Sequence, residues 1–167
     1  MKHIYTFLCL FLCSGVVSAD ISGMALISDG DTITISGMKV RLNGIDTPER
    51  NQTCKKANVT WKCGYEVTKT LRGWLDTKEV RCLGDTKDRY GRLIADCFVD
   101  GYNVNARLVY EGMALAYRKY SKRYVPEEDQ ARIARRGMLA VRVQVVFAPQ
   151  RIGWHQTAAV LYGIPNI

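Results

Sequence analysis

Two acidic turns flanking one hairpin constrain this chain more than any other feature. Residues 32–35 and 38–45 alternate apolar and polar side chains and are joined at Ser36 and Gly37, the pattern of a β-hairpin. Asp29-Gly30-Asp31 precedes the first strand, and Asp46-Thr47-Pro48-Glu49 follows the second. Folding the strands back on each other predicts that the two turns meet at one end of the hairpin, with three or four oxygen donors converging. A donor set without histidine or thiolate suits a hard cation such as Ca²⁺ or Mg²⁺. Arg41, between Val40 and Leu42 on the returning strand, calls for an anionic partner, and an anionic substrate beside the metal would be one. Each piece alone is ordinary. Asp-Gly is a turn signal, Thr-Pro-Glu a loop or helix start, and a single arginine a solvated face residue. Their combination at these spacings points to a site.

Three motifs occur in order: D-G-D-T from Asp29, R-L-x-G-I-D-T-P-E from Arg41, and D-R-Y-G-R from Asp88. Together they resemble the staphylococcal nuclease (thermonuclease) family, and the similarity runs over residues 24–140. The resemblance implies an α+β fold, an OB-fold five-stranded β-barrel with three helices. It also implies Ca²⁺-dependent cleavage of DNA and RNA at the 5′ P–O bond, leaving 3′-phosphate ends, on single-stranded or locally melted substrate. By the same resemblance Asp31, Asp46 and the Thr47 carbonyl hold the metal, with Asp29 as an outer support. Glu49 orients or deprotonates the attacking water. Arg41 and Arg92 clamp the phosphate as catalytic residues, Arg89 and Tyr90 contact the nucleotide, and Tyr117, in preference to Tyr120, stacks on a base.

Residues 1–19 open with Lys2 and His3, continue through an apolar run and close on Val17-Ser18-Ala19, which reads as a secretory signal peptide cut before Asp20. The run is short for a membrane span, so no span is expected after cleavage, and the expected location is secreted or periplasmic. The remaining residues 20–167 suffice for one domain that buries about two thirds of its unfolded surface, and a monomer is expected. Losing Lys2 takes the 24 basic residues to 23 against 16 acidic ones, a net +7. That excess favours polyanionic partners through counterion release and steering. Cys54, Cys63, Cys82 and Cys97 remain in the mature chain and read as two disulfides. No C-x-x-C pair supports a structural zinc. Of the three connectivities, Cys54 with Cys63, closing the loop after the acidic turn, and Cys82 with Cys97, across a hairpin, are preferred.

From residue 63 the period becomes helical. Val67, Leu71, Trp74 and Leu75 share one face, which predicts an amphipathic helix over residues 63–76. A strand over 79–83, a polar loop over 84–91, a strand over 92–99 and a turn at Asp100 and Gly101 follow. Asn103 caps a short helix ended by Gly112. Residues 117–124 interleave tyrosines with cations, a strip suited to base stacking and phosphate contact. Pro126 with Glu127, Glu128 and Asp129, then Arg132, Arg135 and Arg136, predicts a third helix whose charges match its dipole. Residues 141–167 fall outside the resemblance: an edge strand, a partner-binding tail or an altered reading frame all fit. His3 lies in the leader and His155 in this tail, so the expected chemistry runs without histidine. The competing readings are a non-catalytic OB module that binds single-stranded nucleic acid, and a Ca²⁺-dependent adhesion or envelope protein. The second leaves Arg41 and Arg92 without a task.

Overall fold

The computed structural model describes residues 19–56, 59–140 and 143–146. The predicted leader up to Ser18, and tail residues 141–142 and 147–167 with His155, lie outside the described residues.

Five strands form the barrel. β1 (Ala19–Ile27) pairs antiparallel with β2 (Thr32–Ile35), and β2 with β3 (Met38–Leu42). β1 also pairs antiparallel with β7 (Glu79–Lys87), which pairs with β8 (Leu93–Val99). A parallel pairing of β3 with β8 closes the sheet on itself, removing its free edges. This is the closed five-stranded mixed barrel that the resemblance implies. Alternation fills its interior: Ile33, Ile35, Val40, Leu42, Leu93, Ala95, Cys97 and Val99 are buried. The predicted hairpin turn has positive φ at both Ser36 (49°) and Gly37 (80°), which matches the right-handed twist of the flanking strands.

Between β3 and β7 come β4 (Ile45–Asp46), β5 (Thr53–Lys56), β6 (Val59–Trp61) and α1 (Cys63–Leu75). Val67, Leu71 and Leu75 of α1 enter the core, and Trp74 packs beside it under the Arg107 guanidinium, 4.1 Å from the ring centroid. β9 (Tyr102–Asn103) leads into α2 (Val104–Tyr110), where the Asn103 side chain accepts the Ala106 N–H as the predicted cap. β10 (Leu115–Ala116) pairs with β4, α3 (Val125–Ile133) follows, and β11 (Val143–Val146) pairs antiparallel with β5. No helix among the described residues is long and apolar enough to cross a membrane.

Two expectations change, and one alternative left open for the tail is selected. The polar loop over 84–91 is shorter than expected, because β7 runs on to Lys87 through a bulge between Leu83 and Thr86. Its far end is polar because it extends past the core, where neither face needs apolar side chains. The tail supplies a strand, β11, against the loop that follows the acidic turn. Glu128 does not serve a solvated helix end. It is fully buried, accepting Arg118 Nη1 at 2.6 Å, Arg132 Nη2 at 2.7 Å and the Ala116 N–H at 2.9 Å. Charge burial on that scale requires such partners. Both preferred disulfides, Cys54–Cys63 and Cys82–Cys97, are present, the latter across directly paired positions of β7 and β8.

Candidate active site

The hairpin register places Thr32 of β2 opposite Arg41 of β3. The parallel pairing of Val40 with Leu93 brings the start of β8, and with it Arg92, alongside the same end of the hairpin. The two acidic turns meet there. A Cβ added to Gly30 would lie 2.6 Å from Thr47 Oγ1, so only glycine lets the first turn pack against the second.

Asp31 and Asp46 converge on Arg41. One guanidinium nitrogen, Nη1, donates to Asp31 Oδ1, and Nη2 lies 3.5 Å from Asp46 Oδ1. Both carboxylates are buried, Asp31 4% and Asp46 5% exposed. Burial raises Asp31 well above the usual carboxylate range, opposed by Arg41 and reinforced by the Asp29 and Asp46 charges. Burial likewise pushes Asp46 up to about 7, opposed by Arg41 and reinforced by Glu49. Asp29 accepts the Asp31 N–H at 3.1 Å and so shapes the first turn.

Arg92 joins the same network. Its Nη1 donates to Thr32 Oγ1 at 3.3 Å, and the Thr32 hydroxyl donates to Asp31 Oδ1 at 3.1 Å. Its other nitrogens are held by Asp88, with Nε and Nη2 each 2.7 Å from Oδ2. Asp88 Oδ1 accepts the backbone N–H of Tyr90 at 2.9 Å and of Arg92 at 3.0 Å. Burial raises the Asp88 carboxyl, but the guanidinium and these two N–H groups outweigh it and hold the group below its ordinary value. Arg89 and Tyr90 lie beside them: Arg89 donates to the Tyr90 hydroxyl at 2.7 Å, and the Arg89 and Arg92 guanidiniums stand 4.8 and 5.5 Å from the exposed Tyr90 ring.

Tyr117 reaches the site from β10, its N–H bonded to the Gly44 oxygen at 2.9 Å. Burial raises its hydroxyl, and the Asp46 charge reinforces this. Tyr120 packs edge-on against Tyr117, centroids 4.8 Å apart, and is 71% exposed. The predicted cation-tyrosine strip is only partly free: Arg118 is bound to Glu128, Arg123 to Asp96, and the buried Tyr124 donates to Asp96 at 2.8 Å.

Fewer carboxylates converge than the turns promise. Among the described residues no three His, Cys, Asp or Glu side chains gather as a metal set. Glu49 is exposed, and Thr47 is buried. A cation nevertheless fits the donors present, because Asp46 Oδ2 is buried without a hydrogen-bond partner and two buried acids share one guanidinium. An oxygen-rich set completed by a backbone carbonyl and water is what a hard cation accepts.

Sequence reasoning passed over four polar residues that build this site. Thr32 closes one of the quoted motifs and Asp88 opens another, so their positions were a usable signal. Gln52 and Asn105 had none. Asn105, fully buried, donates to the Asn43 oxygen at 3.0 Å and the Ala95 oxygen at 3.2 Å, and accepts the Cys97 N–H at 3.1 Å. It thereby holds the break between β3 and β4, from which Asp46 is presented.

A family model described as staphylococcal nuclease homologue matches residues 39–140. The chain is 40% identical over 98 residues to the succinoglycan biosynthesis protein ExoI of Rhizobium meliloti, covering 57% of this chain and 51% of that protein. It is 39% identical over 100 residues to an uncharacterized endonuclease of Haemophilus influenzae, again 57% of this chain and 51% of that protein. With the thermonuclease of Staphylococcus hyicus it shares 34% identity over 116 residues, 63% of this chain and 67% of that one. The match thus spans about half the length of the first two relatives. On the family match and the barrel that carries its motifs, the chain belongs to the staphylococcal nuclease family.

Proposed function

We propose that this protein is an exported, Ca²⁺-dependent nuclease that hydrolyses DNA and RNA at the 5′ P–O bond and leaves 3′-phosphate ends. One observation carries the reading: Arg41 and Arg92 are joined through Asp31 and Thr32 into one hydrogen-bonded array beside two buried carboxylates. Two forked cations gathered at one end of the barrel suit the charge that builds on the oxygens of a five-coordinate phosphorus.

Asp31, Asp46 and the Thr47 carbonyl would hold the ion, which when bound supplies polarisation of a phosphoryl oxygen. Arg41 and Arg92 grip the phosphate. Glu49, exposed and close enough for Asp46 to feel its charge, orients or deprotonates the water that attacks phosphorus as the bond to the 5′ oxygen breaks. Arg89, Tyr90 and Tyr117, with Tyr120 behind it, flank the array as contacts for the adjoining nucleotides. A signal peptide ending at Ala19 and a monomeric mature domain complete the reading. Maturation at Asp20 would keep β1 in the barrel, where Asp20 pairs with Arg81.

The test is incubation of the protein with plasmid and with RNA in Ca²⁺, in Mg²⁺ and in chelator, with end-group analysis of the products. Cleavage in Ca²⁺ to 3′-phosphate ends, little in Mg²⁺, and none in chelator or in Asp46→Ala is expected. Equal rates in all three conditions would sink the metal assignment.

A further inference from the structure

Glu49 lies beyond the end of β4, and its backbone is held from the other side, by Gln52. The two residues exchange hydrogen bonds. Gln52 N–H donates to the Glu49 oxygen at 2.7 Å, and Glu49 N–H donates to the Gln52 side-chain oxygen, Oε1, at 2.9 Å. Gln52 is only 6% exposed, although Arg50 and Asn51 beside it are exposed. A glutamine buried in a surface loop needs a partner for its amide, and here the partner is the backbone of Glu49.

The same residue ties the turn to the core. α1 has no side-chain cap at Lys62, and the Gln52 carbonyl accepts the Gly64 N–H at 3.2 Å instead, satisfying one of the free donors of the first turn. Cys63 Sγ, without a hydrogen once disulfide-bonded, touches that carbonyl at 3.5 Å. Contact between helix and turn is so close that a Cβ on Gly64 would fall 1.7 Å from the Glu49 oxygen. Glu49 therefore cannot shift without moving Gln52, and Gln52 cannot shift without disturbing α1, whose Val67, Leu71 and Leu75 are locked in the core.

We propose that Gln52 is the positioning residue of Glu49, holding its carboxylate at the attacking water by clamping its backbone to α1. This rests on the role given to Glu49 above. The contacts of Gln52 run to the backbone of Glu49 and to α1, so its removal should act on turnover and not on binding. A displacement of about 1 Å at a reacting group costs on the order of a hundredfold in rate, and loss of one of two clamping bonds should cost a part of that.

Three variants and one pair of backgrounds test it. Gln52→Met keeps the shape and removes the acceptor, and Gln52→Glu keeps the acceptor. Gln52→Met should lower kcat by about tenfold or more with KM changed less than about twofold, while Gln52→Glu should keep kcat within about threefold. Glu49→Gln should by itself lower kcat strongly, and on that background Gln52→Met should lower it no further. The proposal is overturned if Gln52→Met keeps its kcat, if Gln52→Glu falls as far as Gln52→Met, or if the effect of Gln52→Met is the same on both backgrounds. Loss of near-ultraviolet circular dichroism in Gln52→Met would make Gln52 a structural residue and overturn it too. An unchanged kcat in Glu49→Gln would mark a different fault, the role of Glu49 itself, and the proposal would go with it.

Discussion

Arg41 and Arg92 are pre-oriented by different partners, and this decides how each should respond to substitution. Arg41 reaches Asp31 and Asp46 with separate nitrogens, while Arg92 gives two nitrogens to Asp88 and a third to Thr32. A lysine keeps the charge but has no planar fork and cannot satisfy two acceptors in fixed directions. Arg41→Lys and Arg92→Lys are each expected to lower kcat by a factor on the order of 10², about 2.7 kcal/mol, as removal of one preorganised donor does elsewhere. KM should move less, because ground-state affinity draws on many other cations, Arg89 and Lys119 among them. Steady-state kinetics decide the matter: a lysine variant that keeps kcat within about threefold while KM rises identifies a binding residue.

Among the elements, the β5–β6 hairpin is where this chain departs most from what its motifs convey. It follows the acidic turn directly, is closed by Cys54–Cys63, and receives β11 along its free edge, with Val145 opposite Cys54. The loop carrying Glu49 is thus held by a covalent bond, a strand pairing and the Gln52 clamp together. Replacing Cys54 and Cys63 by serine should cost about 2 to 3 kcal/mol of stability, the entropy of a short closed loop. Activity should suffer disproportionately, with kcat down by about tenfold or more at a temperature where the protein is still folded. Cys82–Cys97 joins β7 and β8, two strands of the barrel wall, and not the loop that carries Glu49. Its serine pair should lower the melting temperature and leave kcat within about twofold. Thermal melts and kinetics on the two pairs provide the comparison, and equal losses of kcat would refute the division of labour.

For the molecule as a whole, the buried acids dictate a pH dependence of stability. Asp31 and Asp46 are raised in the fold from 3.8, Asp46 to about 7. With no divalent cation present, the folded protein therefore holds protons that the unfolded chain has already released, and unfolding free energy falls as pH rises from about 4 towards 7. Asp20 and Asp88 are lowered in the fold, so their stabilisation is complete above the ordinary value and lost only below it, outside this window. In chelator, the melting temperature should drop between about pH 5 and about pH 7, and Asp46→Asn should flatten the slope. Added Ca²⁺ should raise the melting temperature more at the higher pH, because cation and proton compete for the same oxygens. A melting temperature in chelator that rises across this range would contradict the burial assigned to these acids.

What the sequence determined by itself was whatever short-range pattern can encode. The β2–β3 hairpin follows from alternation and a Ser-Gly turn, α1 from its 3.6-residue period, and the start of α2 from Asn103, because each signal lies within a few residues of its effect. The motif residues likewise marked Asp31, Arg41, Asp46 and Arg92 as one site. Only the tertiary structure decided what those residues touch. The parallel β3–β8 closure brings Arg92 to Thr32 across 60 positions, and β11 meets β5 at Val145 and Cys54. Glu128, read as an acid matching the dipole of the third helix, became a buried junction, and Gln52 and Asn105 gave no outward sign of being structural. A polar side chain's role is set by which backbone groups the fold leaves unsatisfied around it, and those groups come from segments distant in the chain. Local propensity cannot specify such an arrangement; the closed barrel, once formed, does.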